Sequence, residues 1–139
     1  MRLGKDAKIE LLRKVPLFSR LGKKHLQAVA QITDELDLPA GKEMATEGDR
    51  GREFFVLLEG QADVKKGDRS INTMKTGDFF GEIALVTKMP RTASVTATTP
   101  VRVLVITERD FDALLKKSPE VGRYVAEALA ERVAPELPV

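Results

Sequence analysis

The sequence contains no cysteine and a single histidine in 139 residues. Without cysteine there is no disulfide, no thiol nucleophile and no cysteine-ligated metal. Its absence fits a reducing compartment, and a cytoplasmic location is expected. The one imidazole, His25, sits in KKHLQAVAQI, a helical pattern that reads as an exposed helix position. A serine-type triad needs a histidine beside its nucleophile, and a zinc site usually needs several nitrogen or sulfur ligands. No catalytic residue, metal or cofactor is therefore expected, and the chain does not read as an enzyme. Long apolar runs are also missing. None reaches the ~18 residues that span a membrane, and MRLGKDAKIELLRK has no apolar core of a secretory signal. No membrane insertion is expected. Nor is there an excess of one charge: the net charge is +2, with both signs interspersed. A nucleic-acid surface usually shows a concentrated basic excess, so none is expected.

What is present suits a folded domain. Apolar residues make up 42% and charged residues 32%, which separates the chain from disordered sequences. One domain over residues 1–139 is expected. Residues 1–35 read as helices. Ile9 and Leu12 lie on one face of a helix that stops before Pro16. An apolar elbow follows at Val15-Pro16-Leu17-Phe18. A second helix is predicted from Lys23 to about Asp34, with Leu26, Val29, Ala30 and Thr33 as its stripe. Residues 36–106 break into short β-prone runs between turn signals such as PAG, EGDRG and KTGD. Seven or eight strands at this spacing predict a jelly roll or small barrel. Residues 107–134 are helical again: Thr107 is an N-cap candidate, Phe111, Leu114 and Leu115 share a face, and Pro119 opens a last helix that Pro135 ends. The fold class is α+β, a β-roll flanked by N-terminal and C-terminal helices.

One stretch carries more than packing. In GDFFGEIALVTKMPRTASV, residues 77–95, core burial explains the apolar positions but not Glu82 and Arg91. Gly81-Glu82-Ile83-Ala84-Leu85 is predicted to start a short helix after the strand DFF. Helix N-termini carry unpaired N–H groups and the positive dipole end, and small first residues let an anion approach. Arg91 adds a planar fork suited to phosphate. Glu82, turned sideways, can accept a hydrogen bond from a ribose 2′-hydroxyl. The chemistry admits two readings: a site for a sugar phosphate with a free 2′-hydroxyl, and a helix-cap glutamate near a surface arginine.

FGEIAL followed by PRTASV closely resembles the phosphate-binding cassette of the cyclic nucleotide-binding domain family. That family includes regulatory subunits of cyclic-nucleotide-dependent kinases, cyclic-nucleotide-gated channels and the bacterial catabolite activator. VPLFSRLGKKHLQAVA, LPAGKEMATEGDRGREFFVLLEGQADV and RVLVITERDFDALLKKSPEV resemble its usual flanks, so the likeness runs from about Lys8 to Val133. The resemblance implies a cassette at residues 79–93 that includes Phe80. The backbone of Gly81, Ile83 and Ala84 would meet phosphate or ribose, Glu82 the 2′-hydroxyl and Arg91 the exocyclic oxygens. Thr92 and Ala93 would add donors. Val64 matches a strand position that touches the base, a role compatible with a place in the core. A hydroxyl at Thr92 permits cGMP without excluding cAMP; cAMP is the expected ligand and cGMP the alternative.

The resemblance also places the last helix over the base. On a helical wheel at ~100° per residue, Val125, Ala128 and Arg132 fall on the Val121 stripe. Arg132 aligns with a lid arginine of some channels and can stack on a purine; it can equally snorkel near the helix C-terminus. The implied function is a ligand-gated sensor whose C-terminal helices switch. It would signal to an effector protein or domain, or to a second copy of the chain. Three rivals are weaker. A nucleotide-blind interaction module typically lacks the cassette arginine or glutamate, and both are here. A cupin-type enzyme needs clustered histidines. A DNA-binding regulator appends a helix-turn-helix after its long helix, and the chain stops at Val139.

Overall fold

The computed structural model describes residues 3–133, with side chains to residue 131. They divide into two compact units, one from the residues up to Thr33 together with those from Arg109 on, and one from Asp34–Glu108.

The second unit is built from eight strands: β1 (Asp34–Leu38), β2 (Glu43–Ala45), β3 (Glu53–Glu59), β4 (Ala62–Lys66), β5 (Arg69–Met74), β6 (Phe79–Phe80), β7 (Ser94–Ala97) and β8 (Val101–Thr107). They form two four-stranded antiparallel sheets, ordered β1-β8-β3-β6 and β2-β7-β4-β5. The arrangement is a jelly roll that does not close into a barrel. The strand EFFVLLE lies between β8 and β6, and its apolar run is buried from Phe54 to Leu57. Phe55 and Leu57 alternate with Phe54 and Val56, as period-2 pleating requires. Phe55 and Leu57 join Val103 and Val105 of β8 in one apolar cluster with Met44, Ala62, Met74, Val95 and Ala97 of the other sheet. This shared core sets the two sheets face to face.

The first unit contains α1 (Lys5–Arg13), a 3-10 turn at Pro16–Phe18, α2 (Lys23–Gln31) and most of α4 (Glu108–Lys117), together with α5 (Pro119–Val133). A short α3 (Glu82–Thr87) belongs to the β unit. Phe18 and Phe111 are fully buried, with ring centroids 6.1 Å apart and planes tilted by 44°. Val121, Val125 and Ala128 of α5 are buried, as their stripe predicts. Arg20 and Glu131 form an ion pair.

Two sequence expectations need correction. The second helix ends at Gln31, not near Asp34. Thr33 remains buried, but its hydroxyl donates to the Ala30 carbonyl at 2.7 Å, and Asp34 already pairs with Val105 in β1. A side-chain bond to a helix-end carbonyl thus competes with another turn of helix. His25 is not an exposed residue. Its side chain is only 16% exposed, its ring lies 5.8 Å from that of Tyr124, and Nε2 is 3.7 Å from Glu120 Oε2. The aromatic residue that covers it lies about a hundred positions away in sequence, beyond the reach of a local helical pattern.

Truncating a fully buried ring removes its burial and leaves a cavity. Phe111→Ala is expected to lower stability by about 3–5 kcal/mol. Urea unfolding should show a lower midpoint with an unchanged slope; a loss under about 1 kcal/mol would mean that the ring is not core.

Candidate ligand-binding site

A cavity of about 590 Å³ opens within the β unit. Its apolar wall comes from strand register. Ala45 of β2 pairs with Val95 of β7, Val95 with Val64 of β4, and Val64 with Asn72 of β5. Residues directly opposite in a ladder share a face, and all four line the cavity. The facing wall holds Phe80, Gly81, Glu82, Ile83 and Ala84, and the rim Met89, Pro90, Arg91, Thr92 and Ala93. Every residue expected at the site from sequence, Arg132 excepted, therefore lines one cavity. The side chain of Arg132 lies outside the described residues.

Glycine geometry sets the turn into α3. Gly81 has φ 92°, a left-handed conformation that side chains disfavour. A Cβ there would sit 2.6 Å from the Glu53 carbonyl oxygen. The turn brings Glu82 to the first position of α3, where it is 8% exposed. Behind it, Phe80 stacks on Phe55 with centroids 4.9 Å apart.

Arg91 is held from several sides. Its Nη2 donates to the Glu53 carbonyl at 2.5 Å, and its Cζ lies 5.8 Å from the Phe80 ring centre. Its backbone N–H donates to the Asp49 carbonyl at 2.7 Å, and its carbonyl accepts from Gly48 N–H at 2.9 Å. A Cβ on Gly51 would overlap the guanidinium Nε and Cζ. Gly51 is thus needed for close approach rather than for a turn. Burial pushes the guanidinium below its ordinary pKa, while the charges of Glu53 and Glu82 oppose that shift. A guanidinium has five N–H donors, and the bond to Glu53 uses one.

Gly51, Asp49 and Glu53 carry Arg91 without being legible as site residues. EGDRG signals a turn, and nothing local shows that an arginine forty residues later will lie across it. Asn72 was also missed, because only the ladder register brings it into the row with Val64. Chemically, the cavity offers a cation with spare donors, a buried carboxylate and an apolar face. It fits a ligand with one anionic group, a hydroxyl and a flat apolar body.

Among the described residues, no histidine or acidic cluster could hold a metal ion, and no helix is long and apolar enough to cross a membrane. The family model described as the cyclic nucleotide-binding domain matches residues 35–118. A cyclic nucleotide-gated potassium channel of Rhizobium etli is 33% identical over 88% of this chain and 34% of its own length. A cAMP-dependent protein kinase regulatory subunit of Eremothecium gossypii is 36% identical over 82% of this chain and 25% of its own. This chain thus spans about a third or less of these curated relatives. The regulatory domain of Toxoplasma gondii PKA, solved with cAMP, superposes with a TM-score of 0.71 at 29% identity, covering 82% of this chain and 45% of that one.

The geometry around Gly81 predicts that Gly81→Ala costs about 1–3 kcal/mol, from left-handed strain and the Glu53 carbonyl. Thermal unfolding without ligand would measure it. An unchanged melting temperature would mean that the β6–α3 turn does not need glycine.

Proposed function

The chain belongs to the cyclic nucleotide-binding domain family, and from that premise we propose that it is a regulatory sensor whose ligand is cAMP. One observation carries the reading: Glu82 and Arg91 flank a single cavity whose opposite wall is apolar. In this reading the exocyclic phosphate oxygens accept hydrogen bonds from Arg91 and from the backbone around Ala84, with Thr92 and Ala93 adding donors. The ribose 2′-hydroxyl donates to Glu82. The purine lies on the face made by Val64, Val95 and Ala45, with Ile83 nearby. The kinase relatives are named for cAMP, which supports the choice of nucleotide. The Thr92 hydroxyl leaves cGMP as a weaker second ligand.

The output in this proposal is a population shift in α4 and α5, with Arg132 meeting the base. A ligand moves such an equilibrium only through differential affinity for its two states. The signal passes to an effector protein or domain, or to a second copy of the chain, in the cytoplasm. The protein acts as a binding module and not as a catalyst.

Ligand at ~100 times its dissociation constant adds about 2.7 kcal/mol. Thermal melts with cAMP should therefore rise on the order of 5–10 °C, with a smaller rise for cGMP and little for AMP. Arg91→Ala should remove most of the cAMP shift, since a charge-assisted bond is worth about 1.5–3 kcal/mol. Thr92→Ala should weaken cGMP more than cAMP. Absence of any shift with both cyclic nucleotides would favour a nucleotide-blind interaction module.

Helix switching has its own measurement. Amide exchange across residues 119–133 should change when cAMP is added. Identical protection with and without the nucleotide would remove α5 from the mechanism.

A further inference from the structure

Glu108 is the first residue of α4, and its side chain is only 14% exposed. Its Oε1 accepts from Arg50 Nη2 at 2.6 Å and lies 3.3 Å from Lys88 Nζ. Its backbone N–H donates to the Arg52 carbonyl at 2.7 Å. Among the described residues, its second oxygen is buried without a hydrogen-bond partner. A carboxylate this far out of water depends on its cations.

Both cations sit on segments that frame Arg91. Arg50 lies between Asp49, whose carbonyl takes the Arg91 N–H, and Gly51, against which the guanidinium lies. Arg50 also forms a β-bridge with Pro90, the residue before Arg91. Lys88 follows α3 in a left-handed conformation, φ 59°, and is the one non-glycine residue with positive φ among those described. A bulky residue in that conformation is held there by its surroundings.

We propose that Glu108 is a positioning residue for ligand binding: by drawing Arg50 and Lys88 to one oxygen, it locks together the two segments that set Arg91. The β2–β3 loop and the α3–β7 loop are joined at Gly48, Asp49 and Arg91 by backbone bonds. They are joined a second time at Glu108 by charge. Neutralising Glu108 removes the charge that Arg50 and Lys88 share. The loop that carries Arg50 is then tied less tightly to the segment that carries Arg91.

The inference rests on the cyclic nucleotide reading for its binding arm alone. In the full chain without nucleotide, Glu108→Gln should speed amide exchange at Gly48 and Arg91 about tenfold while the β3 and β8 amides stay unchanged. The dissociation constant for cAMP should rise about five- to tenfold, the size of a typical coupling. Unchanged exchange at Gly48 and Arg91, or an equal rise throughout β3 and β8, overturns the proposal. If Glu108→Gln does not fold, Arg50→Gln carries the same measurement with the same two outcomes. A wild-type chain that binds no cyclic nucleotide ends the ligand assignment, whereas the exchange arm decides the role of Glu108 by itself.

Discussion

A guanidinium taken partly out of water is the constraint around which the β unit is arranged. Desolvating a cation is costly unless acceptors and opposite charges nearby replace the lost water. Arg91 meets that requirement with a backbone carbonyl, an aromatic face and two carboxylates at longer range. Each of these comes from a different part of the chain: Glu53 from β3, Phe80 from β6 and Glu82 from α3. Space for the side chain comes from two residues with no Cβ, Gly51 and Gly81. The site is therefore a property of the assembled sheets and not of the local segment that contains the arginine.

The sandwich supplies what a helical scaffold would not. Antiparallel register aligns Ala45, Val95, Val64 and Asn72 in one row, so four strands together supply one wall of the cavity. Small and β-branched side chains keep that row shallow. Across from it, β6 is only two residues long and gives way at once to α3. A longer strand would have filled the cavity with its own side chains. The abrupt change is possible because Gly81 adopts a left-handed conformation that other residues avoid. Burial of Phe55 and Leu57 in the shared core holds the two walls at a fixed separation.

Much of this was legible in the sequence because its signals are local. Strand runs, turn glycines and the helix start after FFG depend on neighbours within a few residues, and Glu82 and Arg91 stood out because core packing did not need them. What was hidden depends on distant contacts. Gly51 looked like a corner, yet its backbone does not require glycine; the Arg91 side chain does. His25 looked solvated because α2 alone does not reveal Tyr124. The end of α2 was misplaced because Thr33 fits the apolar stripe, while its hydroxyl and the pairing of Asp34 decide the boundary. In each case a tertiary partner outweighed a local pattern.

The same physics bears on why a buried acid belongs beside the proposed phosphate site. Glu82 is nearly excluded from solvent, and its charge helps keep Arg91 ionised. In the proposed reading a phosphodiester brings one negative charge, which meets the Arg91 guanidinium. A phosphomonoester brings nearly two, and the second meets the Glu82 carboxylate in a poorly screened place. In the proposed reading the acid thus works against the wrong ligand as well as for the right hydroxyl, since specificity is a difference between two affinities. An apolar residue at position 82 would remove the repulsion and the hydroxyl contact together. On the proposed reading the glutamate would set the charge of the ligand, the arginine its affinity, and the strand row the flatness of its base.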